Sequence, residues 1–159
     1  MAIYTVAPAN EAAAYVAGDV FGEGDGVAED GIYVLAGMVE NKRSALIHHV
    51  NIQDIDNKKP DLRLHFFKSR PADQADNAAL SLTDANWKAK LCTINIASAD
   101  WVTSDTKSSV DKDSLGKQVD FTTVSVFDIW LIIEITGGYT FTRTDALVLN
   151  IHTVPGEYT

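Results

Sequence analysis

The sequence contains a single cysteine, Cys92, and only four prolines in 159 residues. One cysteine excludes an intrachain disulfide, so packing, association or a metal has to supply the stability of the fold. The neighbours of Cys92, Leu91 and Thr93-Ile94, are typical of a strand. We therefore expect the thiol to behave as a small buried hydrophobic group.

Long apolar runs and an excess of positive charge are also lacking. The longest apolar run, Ile129 to Ile133, is far shorter than the roughly 20 residues of a membrane span. The N-terminal stretch has no basic and apolar regions of a secretory signal. The formal net charge of -9 argues against nucleic-acid binding, which depends on Lys and Arg neutralising phosphates. We expect neither membrane nor nucleic acid as a partner, and synthesis in a reducing cytoplasm.

What the chain does contain is strand-like alternation, most clearly between residues 44 and 82. Mostly apolar side chains recur at every second position, which places them on one face of a strand; these residues are Leu46, His48, Val50, Ile52, Leu62, Leu64 and Phe66. Asp56 to Pro60 separates the two runs with turn-forming residues. The pattern predicts a central β-hairpin.

Similar runs elsewhere give six to nine strands, of which Val124 to Ile135 is the strongest and is apolar on both faces. This pattern predicts that the strand lies in the middle of the fold or at a subunit contact. Thr83 to Lys90 has the cap and charge pattern of one short helix. The sequence predicts one all-β domain over residues 1–159, an antiparallel β-sandwich or jelly roll.

Two segments fall outside this strand pattern. Residues 1–17 are a possible N-terminal arm, in which Asn10 to Ala14 are compatible with either a helical turn or an extended chain. Residues 103–120 are rich in Ser, Thr, Asp and Lys, and they predict a polar loop that is mobile or becomes ordered on a partner.

Two kinds of metal site can be considered. Asp54, Asp56, Asn57 and Asp61 offer oxygen ligands for calcium, as does a second loop with Glu23, Asp25, Glu29 and Asp30. The EF-hand spacing fails after Asp54, and an ordinary Asx-rich turn is favoured. For zinc, the histidines are His48, His49, His65 and His152; the adjacent pair points to opposite faces of a strand. We expect no metal and no cofactor.

No catalytic signature is present. A Gly-x-Ser-x-Gly elbow is absent, Cys92 lacks an activating pattern, and Gly22 to Gly26 is not followed by the Gly-Lys-Ser/Thr of a phosphate loop. A glycosidase with two distant carboxylates remains compatible with the sequence, but most acids occur in turn-like clusters. The chain is predicted not to be an enzyme.

Aromatic residues suggest one binding alternative. The candidates for a sugar-stacking platform are Trp87, Trp101 and Trp130, with Tyr139 and Phe141. Exposure of Trp101 and Tyr139 in one groove would be the discriminating arrangement. That arrangement would describe a carbohydrate-binding module. Trp130 lies in the strand that is apolar on both faces, where core packing is the simpler interpretation.

From Leu64 onward the chain resembles small tailed-bacteriophage proteins that act as capsid decoration, or cement, proteins. The matching elements are a strand ending in Phe66-Phe67, a loop with Pro71, Asp76-Asn77-Ala78-Ala79, Thr83-Asp84-Ala85, a strand closed by Asp100-Trp101, Gly137-Gly138-Tyr139-Thr140, and Thr144 to Leu149. Upstream, Val50 to Asp54 followed by a polar turn fits the same layout, so the resemblance covers residues 45 to 151 and consists of strand and turn patterns. The polar stretch Ser104 to Asp120 is longer than this family leads us to expect.

The resemblance implies a noncatalytic virion protein on the outer capsid surface. Proteins of this family are β-sandwiches that bind over capsomer junctions, often as trimers, so the major capsid protein is the implied partner. The affinity of one copy for the capsid can be modest, because self-association lets several copies bind equivalent positions of the lattice at once. On this hypothesis, the oligomer contact is supplied by Val126, Trp130 and Ile132, with the N-terminal arm as a second candidate, and Ile132→Asp should weaken the oligomer. The alternative is a carbohydrate-binding accessory domain of a phage head or tail protein.

Overall fold

The computed structural model describes residues 2–10, 12–22, 31–40, 45–113, 115–119 and 126–155. The strands are β1 (Ala2–Val6), β2 (Ala14–Tyr15), β3 (Tyr33–Glu40), β4 (Ala45–Asp54), β5 (Leu62–Phe67), β6 (Lys90–Ile96), β7 (Val102–Ser104), β8 (Lys107–Lys112), β9 (Lys117–Val119), β10 (Val126–Ile135), β11 (Tyr139–Thr140) and β12 (Leu147–Pro155). One α-helix, α1 (Asp84–Ala89), and a 3₁₀ turn (Ser98–Asp100) complete the described elements. The predicted all-β fold with one short helix is confirmed.

The larger sheet has the strand order β1-β12-β4-β8-β7, and β9 pairs with the other end of β4 alongside β8. Every described pairing in it is antiparallel. The first and last strands are neighbours, since Ala2 lies opposite Thr153. Strand β4 is therefore central, with β12 on one side and β8 and β9 on the other.

The smaller sheet has the order β3-β10-β5-β6 and is also antiparallel. Its register is interrupted between Phe127 and Ile129 of β10, opposite Val39 and Leu35 of β3. Gly37, in the bulged part of β3, has a φ of 66°, a backbone conformation that favours glycine, and its N–H donates to Asp128 Oδ1 at 2.9 Å. A short third pair joins β2 to β11.

The prediction that β4 and β5 pair as a hairpin is wrong. β4 pairs within the larger sheet and β5 within the smaller one, so residues 55–61 carry the chain from one sheet to the other. Alternation predicts which faces are buried, but it contains no information on which strand lies next to which. The Asp56 to Pro60 turn is present, and within it Asn57 and Lys59 adopt positive φ angles of 55° and 54°.

The main core lies between the two sheets. It combines inward side chains of the larger sheet with those of the smaller sheet, including Ile47, Val50, Ile52, Leu149 and Ile151 from the first and Leu62, Leu64, Phe66, Ile129, Leu131 and Ile133 from the second. Sheet-on-sheet packing of this kind is the architecture of a sandwich. A buried aromatic group, Tyr15, Phe21 and Phe141, packs at ring-centroid distances of 5.1 to 5.5 Å.

The prediction that the strongest strand lies in the middle of the fold is confirmed. β10 lies between β3 and β5, and Ile129, Leu131 and Ile133 face the main core. On its other face Ile132 joins Val20 and Phe67 in a second buried cluster, and Trp130, Ile32, Leu80 and Leu82 pack against that cluster. The connection between β5 and α1 thus covers part of the outer face of the smaller sheet.

The two segments outside the strand pattern are largely extended. Residues 2–6 form the edge strand β1, which pairs with β12. In the 10–14 stretch, where a helical turn was the alternative, Ala14 begins β2 and residue 11 lies outside the described residues. Residues 103–120 differ from the predicted polar loop, because β8 and β9 lie there and pair with β4. Val110 and Ser108 are buried although the strand is otherwise polar, so two inward side chains, of which only Val110 is apolar, anchor β8.

Candidate functional site

A groove of about 670 Å³ lies on the outer face of the smaller sheet. Its floor is formed by side chains of three neighbouring strands, since Glu134 lies opposite Arg63, which lies opposite Asn95, and His65 lies opposite Thr93. Residues 79–82 and Gly18 form one wall, and Trp87 with Lys90 forms the other. The volume is within the range of ligand pockets, about 300–1,000 Å³.

Alternation along β5 explains why charged groups lie on this face. Leu62, Leu64 and Phe66 point into the main core, so Arg63 and His65 must point outward. Where residues 77–82 cover the sheet, the outward positions are apolar; beyond the edge of that cover, they are charged or polar. The groove is the part of the face that the cover leaves open.

A buried hydrogen-bonded pair, His65 and Glu134, forms the floor of the groove. His65 Nε2 lies 2.8 Å from Glu134 Oε2, and their side chains are only 5% and 11% exposed. Burial lowers the pKa of His65, and the charges of Lys90 and Arg63 lower it further, against the opposing effect of Glu134. The neutral ring then donates its Nε2–H to the carboxylate, while Nδ1 accepts from Thr93 Oγ1 at 3.3 Å.

The rim of the groove carries two cations and an exposed indole. Arg63 Nη1 lies 3.5 Å from Glu134 Oε1, and its side chain is 52% exposed. The Lys90 ammonium lies 4.5 Å from the centroid of the Trp87 ring, a cation–π geometry. Burial lowers the pKa of Lys90, as does the nearby Arg63 charge, while Glu134 raises it. Trp87 is 57% exposed.

The charges of the groove are unlike those of the chain as a whole. With His65 neutral, Arg63 and Lys90 contribute two positive charges against the one negative charge of Glu134. The chain has a net charge of -9, so this face offers a local positive site on an acidic protein. The arrangement suits the binding of an anionic group beside an aromatic ring.

The His65 pair gives the stability of the protein a defined pH dependence. Because the pKa of His65 is lower in the folded protein than its ordinary value of 6.5, the unfolded chain takes up the proton first as pH falls. The free energy of unfolding should therefore decrease below about pH 6.5, with a His65 contribution of at most about 1.4 kcal/mol per pH unit. Urea unfolding between about pH 5 and 8 measures it.

His65→Gln should flatten that part of the curve, and the same change at the exposed His48 should leave it as in the wild-type protein. Parallel curves for the wild type and His65→Gln would contradict the assigned direction of the His65 pKa.

The predicted oligomer-contact residues are placed differently from one another. Ile132 is fully buried inside the monomer, and Trp130 packs partly buried against the same cluster. Arg70 also lies over the Trp130 ring, 5.9 Å from its centroid. The side chain of Val126 lies outside the described part of the structure. Ile132 therefore cannot contact a second copy without opening the fold.

The predicted stacking pair, Trp101 and Tyr139, forms no exposed platform. Trp101 is only 7% exposed, and its Nε1–H donates to the Pro60 carbonyl at 3.0 Å. The Tyr139 hydroxyl donates to Asp61 Oδ2 at 2.7 Å and accepts from the Asp61 N–H. Both aromatic residues stabilise the crossing between the sheets, residues 55–61, because Trp101 is hydrogen-bonded to Pro60 and Tyr139 to Asp61.

The acids proposed as a calcium alternative act instead as loop anchors. Asp54 is fully buried and accepts from the N–H groups of Asp56 and Lys59 and from the Ser108 hydroxyl. Asp56 accepts from the N–H and hydroxyl of Thr142. Such bonds are those of an Asx-rich turn. The second acidic loop, with Glu23, Asp25, Glu29 and Asp30, lies outside the described residues.

The histidines do not converge. His65 lies in the smaller sheet, whereas His49 and His152 are neighbours in the larger one with ring centroids 4.8 Å apart. His49 also contacts the carboxylates of Asp111 and Asp113, at 3.4 and 2.5 Å. Within the described ranges, no group of three or more His, Cys, Asp or Glu side chains has the geometry to hold a metal ion.

Cys92 lies in β6, as expected, and is partly buried against the main core. Burial raises the pKa of its thiol to about 11, which leaves little of the nucleophilic thiolate at neutral pH.

Arg63, Lys90 and Glu134 were not predicted as site residues, whereas Trp87 was among the aromatic residues considered for sugar stacking. The available signal was in the strands, where Glu134 interrupts a long apolar run and Arg63 takes an outward position between buried neighbours. Bringing them together requires the pairing of β5 with β10, which alternation does not reveal.

The chain matches no protein-family model and no curated protein sequence. Among the described residues, no helix is long and apolar enough to cross a bilayer.

Proposed function

We propose that this protein is a noncatalytic structural protein of a phage virion, a capsid decoration protein that binds the outer surface of the shell. It would stabilise the shell by bridging neighbouring subunits of the major capsid protein, and it would act as a homo-oligomer, with a trimer favoured. The protein would be made in the host cytoplasm before it joins the capsid surface.

The observation that carries this proposal is the pair of edge strands of the larger sheet. β1 and β7 end the strand order, and both expose an apolar side chain, Ile3 at 56% and Val102 at 68%. Within the described ranges, no further strand pairs with the outer side of either. An edge strand with unpaired backbone groups and exposed apolar side chains is suited to association with another chain.

The connections between strands support a rigid part of an assembly. Several are fastened to another element by a carboxylate that accepts backbone N–H groups. Asp61 accepts from Ser98, Asp76 accepts from Gly22 and the Tyr15 hydroxyl, and Asp56 accepts from Thr142. Ordered loops lose little conformational entropy when they bind, which favours repeated weak contacts on a lattice.

The oligomer contact is better assigned to the N-terminal strand than to β10. Ile132 lies inside the monomer, whereas β1 is at the edge and its outer residues are exposed. Two copies that meet along such an edge would add strand to strand, with Ile3 at the contact. The acidic surface would keep free copies soluble and would complement a basic capsid surface.

Light scattering of the purified protein, followed by co-sedimentation with empty capsids of the same phage, tests this function. We expect an oligomer that sediments with the shells and saturates at a fixed ratio to the capsid subunit. Ile3→Lys should reduce the mass toward that of a monomer and weaken co-sedimentation, because a charge at an edge opposes strand addition.

Val16→Lys is the matched control, since Val16 is also exposed (63%) but lies outside the edge strands. A wild-type protein that is monomeric and stays in the supernatant would contradict the capsid role. Equal effects of the two lysine substitutions would contradict the assignment to β1.

A further inference from the structure

We propose that the groove on the outer face of the smaller sheet binds an acidic saccharide, that is, a sugar bearing a carboxylate. The site is formed by Arg63, Trp87, Lys90, Thr93 and Asn95 above the His65–Glu134 pair. It is separate from the edge strands to which capsid association is assigned, so it goes beyond that function and does not depend on it.

The positively charged side chains of the groove would recognise the carboxylate of the ligand. Glu134 is 8% exposed and accepts a hydrogen bond from His65, so little of its carboxylate faces a ligand in the groove. Arg63 is half exposed and contacts Glu134 through one nitrogen at 3.5 Å. A guanidinium has five N–H donors and pairs with a carboxylate in a two-point geometry. Arg63 can therefore hold Glu134 on one side and a ligand carboxylate on the other.

The remaining lining groups match a sugar better than a simple anion. Trp87 presents an exposed indole at the rim, and a sugar ring can lie against it through its C–H face. Ser81, Thr93 and Asn95 add hydroxyl and amide groups that both donate and accept. Sugar hydroxyls also do both, so a ring placed on Trp87 can be bonded from the floor of the groove.

The walls are fixed by contacts within the protein. Gln74 is buried, its side chain donates to the carbonyls of Ala72 and Ser81, and it accepts from the Ser81 N–H. On the other wall, Thr83 and Asn86 form a reciprocal capping box at the start of α1, which carries Trp87. A preformed site loses less entropy when the ligand binds.

An acidic peptide is a less suitable ligand. Peptides that bind to sheets add as a strand along an edge and bond through their backbone. The groups here are side chains on the face of three paired strands, so they are arranged around a compact ligand.

NMR titration of the ¹⁵N-labelled full chain tests the proposal. The probes are methyl β-glucuronide, N-acetylneuraminic acid, methyl β-glucoside, acetate and tetraglutamate. We expect saturable shifts of the Thr93 and Asn95 amides and of the Trp87 indole with at least one of the two acidic sugars. The buried Trp101 indole should not move. Methyl β-glucoside should bind about tenfold more weakly than the glucuronide, because it cannot pair with Arg63.

Two substitutions in the groove, Arg63→Gln and Trp87→Ala, should each weaken binding about tenfold. Arg143→Gln is the control, because Arg143 is an exposed arginine paired with Asp145 outside the groove. If Arg63→Gln does not fold, Asn95→Asp replaces it: a carboxylate at this exposed position should repel the acidic sugars and spare the neutral one.

The proposal is overturned if neither acidic sugar gives a saturable shift. It is also overturned if acetate or tetraglutamate binds as well as the sugars, which would indicate a site for carboxylates alone or for a peptide. Binding that survives both the Arg63 and the Trp87 substitutions would place the ligand elsewhere.

Discussion

Ile132→Asp is expected to unfold the protein. The side chain is fully buried and packs with Val20 and Phe67 under the connection between β5 and α1. A carboxylate there would have no partner among the apolar residues of the cluster, and the substitution would also remove packing. We expect a loss of about 4 kcal/mol or more in the free energy of unfolding, measured by urea denaturation.

Two substitutions define the control for this result. Ile132→Val keeps the site apolar and should cost about 1 kcal/mol. Val34→Asp places the same charge on the neighbouring strand β3, where Val34 is 49% exposed, and should change the free energy of unfolding by about 0.5 kcal/mol or less. If Ile132→Asp instead gave a folded monomer from an oligomeric wild-type protein, Ile132 would be a contact residue after all.

Asp54→Ala is expected to have the second largest effect. Asp54 is fully buried at the end of β4, and its carboxylate accepts from the N–H groups of Asp56 and Lys59 and from the Ser108 hydroxyl. Alanine would leave the buried Ser108 hydroxyl and two partly buried N–H groups without an acceptor. The expected loss is about 3–5 kcal/mol, because each unpaired buried donor costs about 1–3 kcal/mol and water can recover part of it.

Thermal unfolding followed by circular dichroism measures the effect, and Asp111→Ala is the matched control. Asp111 is also an acid of the larger sheet, but its side chain is 57% exposed, so about 0.5–1 kcal/mol is expected. Similar melting temperatures for the two variants would show that Asp54 does not hold the crossing between the sheets.

Local patterns in the sequence were sufficient for the fold class and for individual elements. The helix prediction at Thr83 succeeded because capping is a local interaction: Thr83 and Asn86 are three residues apart and bond to each other. The two apolar faces of β10 likewise indicated an inner strand, since both faces are covered. The capping contact is local, and for β10 the local signal is the apolar pattern of its own residues, whereas the contacts that cover its faces come from distant parts of the chain.

Non-local pairing was the part that the sequence did not reveal. The alternation assumed for β4 is broken at His48, because the register with β12 shifts there and Ile47 and Val50 are both buried. A bulge of this kind moves all following side chains to the opposite parity. The groove was missed for the same reason, since Arg63, Glu134 and Asn95 meet only through two strand pairings.

The position of β12 between β1 and β4 has a consequence for how the chain is made. β12 is formed by Leu147–Pro155. During synthesis from the N-terminus, β1 and β4 therefore remain unpaired with their shared neighbour until β12 has been synthesised. Closing so long a loop is slow, and unpaired strands tend to associate with one another. The net charge of -9 then has a role before the fold exists, because mutual repulsion keeps incomplete chains apart.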